Sequence, residues 1–240
     1  MTTENHRPTW IDRLRELVLP IDCAGCAAPA AGQLCPRCHA ELVSTRSVRL
    51  SCRDGPDRLG AGWYEGPLRR ALVAYKERGR RALAMPLARL LSPVLTVLDG
   101  DVVCVPIPAT AAARRRRGFD HVGRLASALA SIDARMHVAP VLRARRRPDS
   151  VGLSATERVR AAESSFRVAP GAASRLRSFL ERRALSLVVL DDIVTTGATA
   201  AAATRVLLSA GVRPRAVIAV AVVPPLYRKI NLPWVVTSRT

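Results

Sequence analysis

The sequence predicts an α/β protein: a mainly parallel sheet flanked by helices, preceded by a small cysteine-bearing module. Three observations carry this. From Leu68 onward, short Val-rich runs alternate with helical stretches, the pattern of βαβ units. Apolar residues make up 49% of the chain but aromatics only 4%, so the core must be built from Ala, Val, Leu and Ile, which suits many small helix–sheet contacts. Four cysteines stand as two Cys-x2-Cys pairs between positions 23 and 38. A chain of 240 residues is long enough for one substantial domain and a smaller module.

In chain order, WIDRLRELV (10–18) sets Trp10, Leu14, Leu17 and Val18 on one helical face, and Pro20 ends it. The glycine- and proline-bearing stretch Gly55–Gly62 reads as a linker. The expected organisation is therefore a helix and metal module over 1–60, an α/β domain over 61–226 and a tail over 227–240. LRRALVAYKERG (68–79) and ALAMPLARLLSPVLTVL (82–98) read as helices, the second with Pro86 in it. DVVCVPIP (101–108) reads as a buried strand, GFDHVGRLASALAS (118–131) as a helix and SLVVLDD (186–192) as a strand. TGATAAAATRVLLSAGV (196–212) reads as a helix ended by Gly211, and AVIAVAVVP (216–224) as a third strand.

No run approaches the roughly 20 apolar residues of a membrane-crossing helix. The N-terminus carries charges inside its apolar part, unlike a secretory signal, so the cytoplasm is the expected location. The four histidines have no spacing that supports a Ser-His-Asp arrangement, and no G-x-x-x-x-G-K-[ST] loop exists.

The formal charge is +19, with 38 basic residues against 19 acidic, and Lys76 and Lys229 are the only lysines. A coding bias toward arginine explains the choice of Arg over Lys, but not the excess. An excess of this size implies an anionic partner, either nucleic acid or a phosphorylated small molecule. Arginines cluster at Arg114, Arg115, Arg116 and Arg117, at Arg143 with Arg145, Arg146 and Arg147, and at Arg78, Arg80 and Arg81. Such runs usually mark solvated loops, and the first two clusters are the candidate nucleic-acid contacts.

Cys23, Cys26, Cys35 and Cys38 form two short knuckles, and four thiolates so spaced suit tetrahedral zinc. A redox motif needs only one pair, and disulfides are not expected in the cytoplasm. Four cysteines leave no open position, so the zinc is expected to be structural. Cys104 falls in a strand and reads as core, and His39 as a bystander.

LVVLDDIVTTGATA (187–200) runs an apolar strand into Asp191 and Asp192, then into Thr195, Thr196, Gly197, Ala198 and Thr199 at the start of a helix. In a parallel sheet, ligands bind beyond the carboxyl ends of strands. Backbone N–H groups at a helix N-terminus favour an anion, hydroxyls add hydrogen bonds, and Gly197 permits close approach. Two carboxylates can accept from vicinal sugar hydroxyls. Together these suit a ribose 5-phosphate group. A threonine that only caps the helix would leave both carboxylates without a reason.

This stretch resembles the phosphoribosyl pyrophosphate (PRPP) signature of type I phosphoribosyltransferases. With DVVCVPIP, RRRRGF, RARRRPDSVGLSATERVRAAESSF and the cysteine pairs, the chain is similar to the ComF family, phosphoribosyltransferase-like proteins associated with DNA uptake. The resemblance runs from about Trp10 to Val223. It implies a type I phosphoribosyltransferase-like fold with an N-terminal zinc ribbon. Asp191 and Asp192 would be the catalytic pair, holding the ribose hydroxyls of PRPP, and Thr195–Thr199 would hold its 5-phosphate. Pro108, Ala109 and Thr110 would lie near the pyrophosphate, with magnesium bridging the ribose oxygens and the pyrophosphate. Lys76, in the family-like AYKERG, would contact phosphate or else snorkel from a helix. The chain departs from the family at His121, where glutamine is usual, and at Ser150 and Ala161. His121 would face the pocket or sit on a helix surface. Two functions follow: transfer of a phosphoribosyl group to an acceptor, or non-catalytic binding of single-stranded DNA in transformation, with other transformation proteins as partners.

Overall fold

The computed structural model describes residues 21–53, 55–145, 165–181 and 185–224. The expected helix over 10–18, the tail over 227–240, and Arg146, Arg147, Ser150 and Ala161 lie outside them.

Two short strands, β1 (Ile21–Asp22) and β2 (Pro29–Ala30), pair antiparallel and precede helix α1 (Pro36–Val43). Strands β3 (Val48–Leu50) and β4 (Asp57–Trp63), helix α2 (Gly66–Lys76), a 3-10 turn at Arg81–Leu83 and helix α3 (Ala84–Leu95) follow. Next come β5 (Val102–Pro106), α4 (Ala111–Arg117), α5 (His121–Ile132) and β6 (Met136–Val138). The hairpin strands β7 (Leu142–Ala144) and β8 (Phe166–Val168) lead to α6 (Ala172–Glu181), β9 (Ser186–Val194), α7 (Ala198–Ser209) and β10 (Ala216–Val222).

The main sheet has six strands in the order β3-β4-β10-β9-β5-β6, parallel except for the β3–β4 pair. Its strands alternate apolar residues between two packed faces. Val102 and Cys104 of β5, with Val188 and Leu190 of β9, pack under α2, α3 and α5. Val103, Val105, Leu187 and Val189 pack under α6, α7 and the β7–β8 hairpin. Strands covered on both faces read as continuous apolar runs rather than alternating ones, which is why β5, β9 and β10 stood out in the sequence.

Two expectations change. The stretch Gly55–Gly62, expected as a linker, contains β4, so the expected boundary at 60/61 falls inside a strand of the main sheet. Its glycines serve close packing: a Cβ on Gly60 would come within 2.7 Å of Val222 Cγ2. The arginine run 114–117, expected as a loop, is helix α4. Thr110 caps it by accepting from the Ala113 N–H at 3.2 Å, and Gly118 ends it at φ 73°. The helix expected across Pro86 forms as α3: Pro86 sits in its first turn, where the missing N–H costs nothing.

The connection after β5 leads through α4 and α5 to β6 on one side, while the connection after β9 leads through α7 to β10 on the other. The neighbouring strands β5 and β9 therefore flank a topological switch point. A crevice opens there at their carboxyl ends.

Candidate functional site

A cleft of about 410 Å³ occupies that crevice. One wall comes from β9 and the turn after it: Asp191, Asp192, Ile193, Thr195 and Thr199. The strand runs two residues past the aspartates, so the ladder itself holds them in place, with Asp191 opposite Ala219. Successive side chains of a strand point to opposite faces. Asp192 accordingly turns toward α2 and α5, and Asp191 toward the other face.

Asp192 is 1% exposed and closely partnered. Lys76 Nζ, at the end of α2, lies 3.2 Å from Oδ1 and 2.9 Å from Oδ2. His121 Nε2, at the start of α5, lies 3.4 Å from Oδ2, and the Ile193 N–H donates to Oδ1 at 2.9 Å. Asp191 Oδ1 accepts from the Asp192 N–H at 2.9 Å. Burial pushes both carboxyls upward. For Asp192 the His121 hydrogen bond and the Lys76 charge outweigh it and hold the carboxyl below its ordinary range. For Asp191, burial and the adjacent Asp192 charge push the carboxyl well above it. The two neighbouring carboxyls are thereby pushed in opposite directions.

The turn after β9 is built around Gly197, which stands at φ 81° as the N-cap of α7 and contributes no side-chain cap. Thr196 Oγ1 accepts from the Ala198 N–H at 3.3 Å, so this hydroxyl serves the turn, while Thr195 and Thr199 line the cleft. Arg58 of β4 covers the outside of the turn and donates to the Thr196 carbonyl at 3.1 Å. Thr196, Gly197 and Ala198 do not line the cleft with side chains. Their place in the expected phosphate loop rests on backbone N–H groups.

The opposite wall follows β5: Ile107, Pro108, Ala109 and Thr110, then Ala113 and Arg117 of α4. Arg117 pairs with Glu77 at 3.1 Å and keeps only 12% of its side chain exposed. It therefore differs from Arg114, Arg115 and Arg116, which are exposed. Arg145, Ser165 and Phe166 complete the rim. His121 is 4% exposed, which rules out the surface-helix alternative. Tyr75 fixes its position by donating to the His121 carbonyl at 2.6 Å, and Phe119 meets its ring edge-on at 6.5 Å. Lys76 is held by Asp192 rather than reaching out to water. Arg58, and the cleft-facing positions of Arg117 and Arg145, escape sequence reading because nothing local separates them from the chain's many other arginines.

The cysteines form a second, separate centre. The Sγ atoms of Cys23, Cys26, Cys35 and Cys38 all lie within 4.8 Å of one another, so they can hold a metal ion such as zinc. Cys26 and Cys35 are 3.7 Å apart, close to the about 3.8 Å expected between sulfurs on one tetrahedral zinc. Cys23 Sγ accepts from the N–H groups of Gly25 at 3.3 Å and Cys35 at 3.2 Å. Burial raises the Cys23 thiol, but these backbone bonds outweigh it and bring it down to about 6. Burial and the neighbouring sulfurs push Cys38 up to about 12. A bound dication would remove the cost of collecting four thiolates here. Gly25 admits the close approach of the knuckles, since a Cβ there would meet Cys38 Sγ at 2.7 Å. Arg80 ties the module to the domain by donating to Gln33 Oε1 at 3.1 Å. Cys104 is buried in β5, and His39 lines a different groove between α1 and α3.

Among the described residues no helix is long and apolar enough to cross a membrane. Compared with known proteins, the chain matches no family model and no curated protein.

Proposed function

We propose that the cleft binds the ribose 5-phosphate part of PRPP and passes its phosphoribosyl group to an acceptor nucleophile. One observation carries this reading: the aspartate pair and the threonine turn after β9 open on one cleft at the switch point of the sheet, facing Lys76, Arg117 and Arg145. The 5-phosphate takes the backbone N–H groups at the start of α7 and the hydroxyls of Thr195 and Thr199. The ribose hydroxyls donate to the aspartates. The pyrophosphate lies toward Pro108–Thr110 and the basic rim. In the reaction the C1–O bond to pyrophosphate breaks, and its electron pair leaves with pyrophosphate. The acceptor bonds to C1, and its proton passes to the departing pyrophosphate or to solvent water. Such a transfer asks the chain chiefly for positioning and charge. The cysteine cluster, with its closed donor set, serves structure.

Calorimetric titration with PRPP tests this. Wild type binds, and Thr199→Val loses about tenfold in affinity, the equivalent of one charge-assisted hydrogen bond, while keeping its fold. No binding by wild type, or an unchanged affinity in the variant, overturns the proposal.

A second reading, binding of single-stranded DNA, is favoured by α4. It presents exposed Arg114, Arg115 and Arg116 on the helix whose Ala113 and Arg117 line the cleft. With few aromatics to stack on bases, such binding would be electrostatic and unspecific.

A further inference from the structure

We infer that Arg58 is a positioning residue for the turn after β9, and that its charge makes the turn favour a phosphate dianion over a monoanion. The inference rests on the sugar-phosphate reading for the place of the ligand. Arg58 lies in β4, opposite Val217 of β10 and two strands from β9. Its side chain nevertheless ends at the turn, where Nη1 donates to the Thr196 carbonyl at 3.1 Å. The guanidinium lies so close to Gly197 that a Cβ on that residue would collide with Cζ. Position 197 is thus held to glycine twice, by its φ of 81° and by the arginine. Arg49, Arg117 and Arg135 each meet a carboxylate within 3.1 Å, whereas no carboxylate of the described residues pairs with Arg58. The first turn of α7 has no acidic residue, and Gly197 gives it no side-chain cap. A full positive charge and the partial positive charge of a helix start therefore stand together, with no anion of that helix turn between them. Arg58 does not line the cleft, so it acts from behind the turn, through the carbonyl that it holds and through its field. An anion seated on the N–H groups that open α7 lies within about one Debye length, roughly 8 Å, of the guanidinium. A phosphate monoester gains its second charge above about pH 6, whereas each phosphate of a nucleic-acid strand carries one. The turn accordingly favours a terminal phosphate over a strand phosphate.

Calorimetry on the full, zinc-loaded chain compares wild type with Arg58→Lys, which keeps charge and donor, and Arg58→Gln, which keeps a donor alone. Thermal melts check that the variants fold. Ribose 5-phosphate and inorganic phosphate are each titrated at about pH 5 and about pH 7.5. Lys76, Arg117, His121, Arg145, Asp191 and Asp192 surround the cleft in all three proteins, so their own titration cancels in the comparison. At the higher pH wild type is expected to bind ribose 5-phosphate about fivefold more tightly than Arg58→Gln, and Arg58→Lys to recover most of the difference. At the lower pH, where the ligand is a monoanion, the gap should narrow to about twofold. Equal affinities in wild type and Arg58→Gln, or a gap that does not change with pH, would overturn the inference and leave the sugar-phosphate reading standing. An Arg58→Lys protein as weak as Arg58→Gln would overturn it too, because charge would then have no part. If inorganic phosphate binds in this Arg58-dependent way and ribose 5-phosphate binds no better, the inference holds and the sugar-phosphate reading fails. If wild type binds neither, both fall.

Discussion

The cysteine cluster and the β9 cleft both gather titratable groups that water would otherwise keep apart, and they balance them differently. The cluster gathers four groups of one kind with no counter-charge among them, so holding them as four thiolates would need a cation from outside. The cleft brings its own balance: Asp192, held low by His121 and Lys76, beside an Asp191 pushed upward by burial and by its neighbour. The first can be completed by a metal and would then be closed. The second carries charge of both signs within itself and opens on a cleft. A shortage of internal counter-charge sets the cysteine cluster apart from the compensated aspartate cleft.

The largest effect should come from breaking the first centre. Wild type is expected to carry about one zinc per chain, and Cys35→Ser none, by metal analysis. Structural zinc contributes on the order of 10 kcal/mol in small modules. The variant should therefore become protease-sensitive before about residue 60. Equal zinc in both proteins would refute the assignment.

Removing the compensation of the second centre should cost less. Asp192→Asn leaves Lys76 beside a neutral amide and should destabilise the fold by about 3 kcal/mol in urea unfolding at neutral pH. Because the folded state holds this carboxyl low, its contribution is present above the ordinary carboxylate value of about 3.9 and fades as pH falls below it. Asp191 should behave in the opposite sense. Its folded-state value is raised, so its contribution is present in acid and is lost as pH rises through that raised value. Asp191→Asn should then match or exceed wild type in stability at neutral pH, with the gap closing toward about pH 4. A pH-independent difference between Asp191→Asn and wild type would contradict the split between the two carboxyls.

The smallest expected effect lies outside both centres. Replacing Arg114, Arg115 and Arg116 with alanine should flatten the salt dependence of single-stranded DNA binding by about 0.7 log units per lost phosphate contact. Thermal stability should barely change, since these side chains are exposed. An unchanged slope would remove α4 from the DNA-binding reading.

The two centres also differed in how far the sequence disclosed them. The cysteine site is local: the spacing of Cys23, Cys26, Cys35 and Cys38 already states its geometry, and the four sulfurs converge as that spacing implies. The cleft was legible only along β9, where strand, carboxylates and glycine turn follow one another. Its other half comes from afar. Lys76 meets Asp192 across 116 positions, and Arg58 reaches Thr196 across 138, contacts that only the sheet order creates. Strand β4 was misread because Gly60 and Gly62, chosen for close packing, look like linker residues. Helix α4 was misread because its capping Thr110 and terminal Gly118 were outweighed by the run of charge between them.

The most direct test of the central claim is a crystal structure of the full chain grown with PRPP and magnesium. The account predicts the 5-phosphate against Thr195, Thr199 and the N–H groups that open α7, the ribose hydroxyls at the aspartates, and Lys76 still beside Asp192. A ligand bound away from β9, or a cleft that stays empty at saturating PRPP, would contradict it.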